Sequence, residues 1–476
     1  MNFATVEFGI FFAIVLALYF VLSHRWQNRL LLIASYVFYG WWDWRFCSLM
    51  LISSLVDYFC GLLVDRERRP DLPAGRRKLV LTISIVTNLT ILGFFKYFDF
   101  FADSLALLAG EVGIRIDPPT WRIILPVGIS FYTFQSMSYT IDIYRGKLKA
   151  VESLPDMMLY VSLFTQLVAG PIERGAHLVP QIVNPRTVLP ERFSSGLQLA
   201  FVGLFKKMVI ADTMAVVVNS VYSSADPSGS AVWLATYAFA LQIYCDFSGY
   251  TDIARGTARM LGFDICLNFR LPYLAANPED FWQRWHVSLS TWLRDYLYIP
   301  LGGNRHGRWK TIRNLMLTML LGGLWHGAAW NFVLWGGFHG LLLVAYRRAG
   351  NYRREKALTF ETRRGWRFWL SVAVFFHLTC FGWLLFRVEN MAQAGRLLTA
   401  LVSGPFFEPL SIPLLRMVAA AGIPLALFQL YQYYRRSAEP WVGWPAGLRA
   451  VFYVLLFYGI VVFGAPEINE FIYFQF

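Results

Sequence analysis

The segment LLGGLWHGAAWNFVLWGGFHG, residues 320–340, carries two imidazoles in a run without charge: no Asp, Glu, Lys or Arg lies between Arg313 and Arg347. A polar ring nitrogen is costly in an apolar medium unless it is bonded or used. Imidazole, with an ordinary pKa of about 6.5, can take a proton from a hydroxyl and return it to a leaving group. His326 and His339 are therefore either packing groups that bond across helices or members of a site. A third imidazole, His286, stands in NPEDFWQRWHVSLSTWLRDYLYIPLGGNR, residues 277–305. Spacing disfavours a metal. If His326 and His339 share one helix, thirteen residues at about 100° each turn the two rings to nearly opposite faces. No HxxxH or Cys/His cluster is found elsewhere.

The elements that must position these rings are apolar helices. The chain has 476 residues, of which 57% are hydrophobic and only 15% charged, and its mean hydropathy is +0.45. Many windows reach the ~20 apolar residues that span a bilayer. The alternating pattern of a membrane β-barrel is absent. The fold class expected is an all-α polytopic membrane protein. Candidate spans or half-spans fall near 7–23, 29–42, 46–64, 79–98, 123–144, 157–170, 196–222, 231–248, 314–346, 367–388, 412–434 and 448–464. They form a single membrane domain over 1–476 with its core near 123–346. The net charge of +13 sits in short loops between spans, so it reads as a topology signal rather than a nucleic-acid surface. The five cysteines lie in or beside apolar segments without a CxxC, as small hydrophobes do. MNFATVE lacks a basic n-region, so the first span is expected to stay.

Basic loops give the orientation. Residues 65–78 hold six Lys/Arg against three acids, residues 347–367 eight against two, and residues 304–313 four against none. These are expected on the cytoplasmic side. Residues 99–117, with four acids and one Arg, and SSADPSGS (223–230) are expected as outside loops. Both termini then lie outside. Residues 314–346 break the ladder, because both flanks are basic and 33 residues are too few for two crossings. Six glycines in this run favour a hairpin of two short helices that enters from the cytoplasm, with its irregular backbone lining a cavity.

Asn277 reads as an N-cap, Pro278 as the first helical residue, and Glu279 and Asp280 as first-turn acids. Trp282, Trp285, Leu289, Trp292, Leu293 and Tyr296 recur at helical spacing, opposite Arg284, Ser288, Thr291 and Asp295. That pattern predicts one amphipathic interfacial helix bearing His286. YCDFSGYTDIARG (244–256) brings Asp246, Ser248 and Asp252 together, but DFSGYTD lacks a GxSxG elbow, so polar packing or channel lining is expected. WQRW fails the spacing of the QxxRW motif of processive glycosyltransferases. Gly170–Pro171 in LVAGPIER should stop a helix.

Taken together, DFWQRWHVSLSTWLRDYLYIPLGGNR, GGLWHGAAWNFVLWGGFHG, LVAGPIER, YCDFSGYTDIARG and the terminal FIYFQF resemble the membrane-bound O-acyltransferase family, in its bacterial alginate O-acetyltransferase-like branch. The matches run from ASYVFYGWW (34–42) to the last residue. The resemblance implies a ring of transmembrane and re-entrant helices around a thin centre with funnels from both faces. The family's invariant histidine falls on His326 and its second motif histidine on His286, so both are expected to be catalytic. It implies acyl transfer from a cytoplasmic thioester, with acetyl-CoA as donor substrate and no bound cofactor or metal. The acceptor is expected to be an exported polysaccharide such as alginate. The expected setting is the bacterial inner membrane, with a periplasmic partner completing the transfer and no nucleic acid involved. An alternative is a carrier-protein-dependent D-alanyl transferase of the teichoic-acid type. Against a third reading, a transporter or channel, stand the lack of an inverted repeat and the near absence of acidic residues within the spans.

Overall fold

Helical periodicity is realised throughout. In the computed structural model, which describes residues 1–168, 170–349, 365–403, 411–464 and 470–474, every regular element among the described residues is a helix. In chain order these are α1 (Val6–Val21), α2 (His24–Asp43), α3 (Cys47–Val64), α4 (Ala74–Leu92), α5 (Phe98–Glu111), α6 (Ile129–Tyr144), α7 (Leu154–Ser162), α8 (Phe164–Leu167), α9 (Gly175–Val183), α10 (Pro190–Phe205), α11 (Asp212–Tyr222), α12 (Gly229–Met260), α13 (Pro278–Trp282), α14 (Val287–Leu293), α15 (Arg308–His326), α16 (Trp330–Arg348), α17 (Trp366–Arg387), α18 (Met391–Ser403), α19 (Ser411–Arg435) and α20 (Ala446–Phe463). Among the described residues, five stretches are long and apolar enough to cross a bilayer: His24–Val64, Ala74–Glu111, Trp366–Arg387, Ser411–Arg435 and Ala446–Phe463. Contacts divide the chain into one unit of Met1–Leu197 with Ala254–Cys266 and another of Gln198–Ile253 with Leu267–Phe476.

In the first unit, α3, α4 and α6 pack on one another around a fully buried carboxylate, Asp57. It accepts hydrogen bonds from Ser84 Oγ (2.5 Å), Asn88 Nδ2 (2.9 Å) and Thr140 Oγ1 (3.2 Å), so each of the two neighbouring helices satisfies it. α8 stops at Leu167, ahead of Gly170–Pro171 as expected. One expectation fails here. The acidic stretch after residue 98 is not a loop: α5 continues α4 through a π-turn at Gly93–Tyr97. Its acids are spaced to fit one helical side, where Asp99 accepts from the Ile123 amide and Asp103 from Arg122.

In the second unit, α10 runs through a π-turn at Lys206–Ala211 into α11. The helix packs tightly on α12, with the backbone oxygen of Gly249 lying where a Cβ on Gly203 would meet it. The segment 314–346 is the expected hairpin, α15 and α16 joined by an extended turn at 327–329. Its arms are longer than expected, because α15 begins inside the basic stretch at Arg308 and α16 runs to Arg348. Nineteen residues per arm give about 28 Å at ~1.5 Å per residue, close to the ~30 Å of a hydrocarbon core. The arms meet backbone to backbone: a Cβ on Gly323 would strike the Phe332 carbonyl, and one on Gly336 the Met319 carbonyl. Most of the basic loop at 347–367 lies outside the described residues.

Candidate functional site

The helix start at 277 is as expected. Asn277 Oδ1 accepts the Asp280 amide at 2.9 Å, and Pro278 opens α13. The single interfacial helix is not. α13 ends at Trp282, and the chain turns through His286 in the left-handed region (φ 43°, ψ 55°) before α14 begins. Helical spacing survives on paper because both short helices bury the same side. Trp285 and His286 are fully buried, and Leu289 and Trp292 nearly so. A left-handed non-glycine residue costs about 1–2 kcal/mol, so the neighbourhood must hold it. Asn268 does so: its carbonyl accepts the Val287 amide (3.0 Å) and its Oδ1 the Ser288 amide (3.2 Å). Such strain often accompanies a functional site.

His326 is the last residue of α15, immediately before Gly327 goes extended (φ −156°, ψ 150°). Gly327 has room for nothing larger, since a Cβ there would strike the Phe332 ring. The hairpin tip is tied to α17. Asn331 Nδ2, buried at the start of α16, donates to the Phe386 and Val388 carbonyls at 3.1 and 2.8 Å. These are carbonyls that a helix end leaves open. The tie brings the Phe386 ring to 5.5 Å from His326. Trp335, one turn into α16, stands edge-on at 5.0 Å, and Tyr473 lies at 5.5 Å. His326 is 3% exposed.

His286 and His326 share two neighbours. Trp325 touches both rings (5.9 and 5.1 Å), as does Tyr473 (6.5 and 5.5 Å). Phe247 closes the other side of His286 at 4.7 Å and packs on Tyr473 at 4.8 Å. The two imidazoles assigned to chemistry thus line one aromatic chamber, built from α12, α15, the turn before α14 and the 470–474 segment. His339 lies behind Trp335 (4.8 Å), stacked on Phe281 and edge-on to Trp282. It is fully buried, and neither of its ring nitrogens has a hydrogen-bond partner among the described residues. That environment fits packing. The aromatic walls were not singled out by sequence reasoning, although Phe247 and Tyr473 lie in motifs it quoted, DFSGYTD and FIYFQF.

The carboxylates of YCDFSGYTDIARG are ion-paired. Asp252 meets Lys206 at 2.6 Å, while Asp246 meets Lys207 at 2.8 Å and accepts the Ile472 amide at 2.7 Å. Consecutive lysines in the π-turn reach different carboxylates of α12. The motif supplies Phe247 to the chamber wall. On the expected polar face, Arg284 pairs with Asp280 and Asp295 with Arg294, while Ser288 Oγ stands 3.5 Å from His286 Nδ1.

A model of the membrane-bound O-acyltransferase family matches residues 147–385, half of the chain and including both histidines of the chamber. The chain is 39% identical over 98% of its length to a probable alginate O-acetylase of Pseudomonas putida, 98% of which is covered. It is 33% identical over 81% of its length to a peptidoglycan O-acetyltransferase of Helicobacter pylori, covering 76% of that protein. It is 27% identical over 56% of its length to a teichoic acid D-alanyltransferase of Bacillus subtilis, covering 70% of that protein. The apolar helical architecture, the histidine chamber and these likenesses agree: the chain belongs to the membrane-bound O-acyltransferase family.

Proposed function

We propose that this enzyme moves acetyl from cytoplasmic acetyl-CoA across the bacterial inner membrane, for O-acetylation of an exported polysaccharide of the alginate kind, with His326 as general base. The observation that carries the reading is the position of His326 at the tip of a hairpin whose flanks are basic. Its ring is buried in the chamber that also holds His286. The full-length likeness to an alginate O-acetylase supports the substrate class.

The chemistry follows from the ring. A neutral imidazole of His326 takes the acceptor hydroxyl proton as the oxygen attacks the thioester carbonyl. The C–S bond then breaks, and the imidazolium returns the proton to the departing thiolate. Such proton transfer is worth about 10²–10⁴-fold. Burial in an aromatic chamber excludes water, which would otherwise compete as acceptor. His286 orients an acceptor or donor group, or stabilises the oxyanion. The cationic loops suit the phosphates of coenzyme A, and a periplasmic partner completes delivery.

The test is inverted membrane vesicles loaded with acceptor polymer and periplasmic extract and given labelled acetyl-CoA from outside. Label on the polymer, lost in His326→Ala, supports the reading. Transfer of labelled D-alanine from a carrier protein, with none from acetyl-CoA, would replace it with the second reading, which the Bacillus subtilis relative favours. Solute flux without acyl transfer would favour a transporter.

A further inference from the structure

The chamber depends on a segment far away in sequence. Phe471 leads into a single 3-10 turn, Ile472–Phe474, and Phe471 and Ile472 are buried. A buried N–H at the start of a helical turn has no partner within the turn and needs an acceptor elsewhere. For Ile472 that acceptor is Asp246 Oδ2, 226 residues earlier, at 2.7 Å. The carboxylate is itself 3% exposed and is neutralised by Lys207, whose Nζ lies 2.8 Å from Asp246 Oδ1 and 2.7 Å from Asp212 Oδ1. Around this anchor, α12 receives the segment side chain by side chain. Phe471 sits 4.5 Å from Tyr250 and 5.4 Å from Phe247, and Tyr473 sits 4.8 Å from Phe247. Tyr473 then stands against both His326 and His286.

We propose that Asp246, held by Lys207, is a positioning residue: its carboxylate latches the Ile472 amide and so seats Tyr473 as the wall that orients the two imidazoles. Packing alone does not require this arrangement. Apolar contact between Phe471 and α12 is non-directional, whereas a charge-assisted hydrogen bond to one backbone amide fixes register along the segment. A slip of one residue would present Ile472 or Phe474 to the histidines in place of Tyr473. Asp246 touches neither histidine, so it acts through the segment. The proposal rests on His326 as the base, but its first readout does not use activity.

The experiment uses the full chain in membranes. In an Ile472→Cys background, which keeps the backbone amide, the thiol is expected to resist a maleimide. Asp246→Ala is expected to speed labelling at least about tenfold, the weight of a charge-assisted hydrogen bond, and Asp246→Asn, which keeps an acceptor oxygen, to speed it less. The exchanged pair Lys207→Asp with Asp246→Lys, made together with Asp212→Asn so that no second carboxylate faces position 207, restores opposite charges but offers the amide no acceptor. It is expected to recover the melting temperature lost in Asp246→Ala without recovering protection. In the parent background, Asp246→Ala and deletion of 470–476 should each lower acyl transfer at least about tenfold, and the double variant no further, because the two act on one device. Unchanged labelling in Asp246→Ala overturns the proposal, as do multiplicative losses in the double variant or full protection in the exchanged pair. A parent without acyl transfer would overturn the functional reading while the labelling arms still judge the latch.

Discussion

At the scale of single residues, three buried or partnered imidazoles have three different surroundings, and the surroundings separate their roles. His326 and His286 share Trp325 and Tyr473 as walls. His339 is enclosed by Phe281, Trp282 and Trp335 with both nitrogens unbonded among the described residues. Removing an unsatisfied buried polar group is close to neutral, whereas removing a base is not. His326→Ala is expected to lower transfer by about 10²–10⁴-fold with membrane insertion intact. His339→Leu is expected to retain transfer within about threefold and to keep or raise the melting temperature. Comparable transfer by His326→Ala and the parent would remove the base from the mechanism. His177 offers a pH test of a different kind. Its Nδ1 bonds the buried Glu173 carboxylate at 2.7 Å, which raises its pKa above the ordinary value near 6.5 against a smaller opposing effect of burial. A raised folded pKa means the contribution is whole below the unfolded pKa and is lost as pH rises through the folded one. The melting temperature should therefore fall as pH climbs from near 6.5 through the raised His177 value and level off above it, and His177→Gln should flatten that part of the profile. The ring is 43% exposed, so solvent screens the pair and the effect is small.

At the scale of elements, the hairpin shows what sequence can and cannot reveal. The break was legible because six glycines and two basic flanks leave no uniform helix over 314–346. The arm lengths were not, because α15 starts at Arg308 among charged residues that a hydropathy count discards. The N-cap at Asn277 was legible, being local. The left-handed turn at His286 was not: the bonds that hold it come from Asn268, and helical spacing continues across the break. Nor could any local pattern pair Asp246 with Ile472. The glycines give an element-level prediction. Gly323 lies one turn before His326, and any Cβ there strikes the Phe332 backbone. Gly337 faces Leu320 with a Cβ contact of 3.6 Å, ordinary van der Waals distance. Gly323→Ala should force the arms apart, cost about 1–3 kcal/mol and depress transfer by displacing the ring. Gly337→Ala should be tolerated in both melting temperature and transfer. Equal tolerance of the two would mean that arm separation does not set the position of His326.

At the scale of the whole molecule, the proposed function requires one base to serve a donor and an acceptor on opposite sides of a membrane. A thioester on a charged carrier cannot cross hydrocarbon, so the protein must bring the base to the acyl carbon and to the acceptor at once. The second unit has the dimensions for this. The base of the hairpin is cationic at Arg305, Arg308, Lys310 and Arg313, the signature of a cytoplasmic loop. Each arm is about 28 Å long, nearly the hydrocarbon thickness of ~30 Å. On the proposed orientation His326 would be carried toward the far side; in the structure its ring meets Tyr473 of the 470–474 segment. Charge asymmetry predicts that segment on the outside. The exposed Lys310 and Glu470 report the orientation directly. With a membrane-impermeant maleimide on intact cells, Glu470→Cys is expected to label and Lys310→Cys to stay unlabelled until the membrane is opened. Labelling of Lys310→Cys alone from outside would invert the protein and with it the side from which the donor comes. Labelling of both from one side would mean that the hairpin tip bends back to the face it entered from, and that acetyl does not cross the membrane at His326.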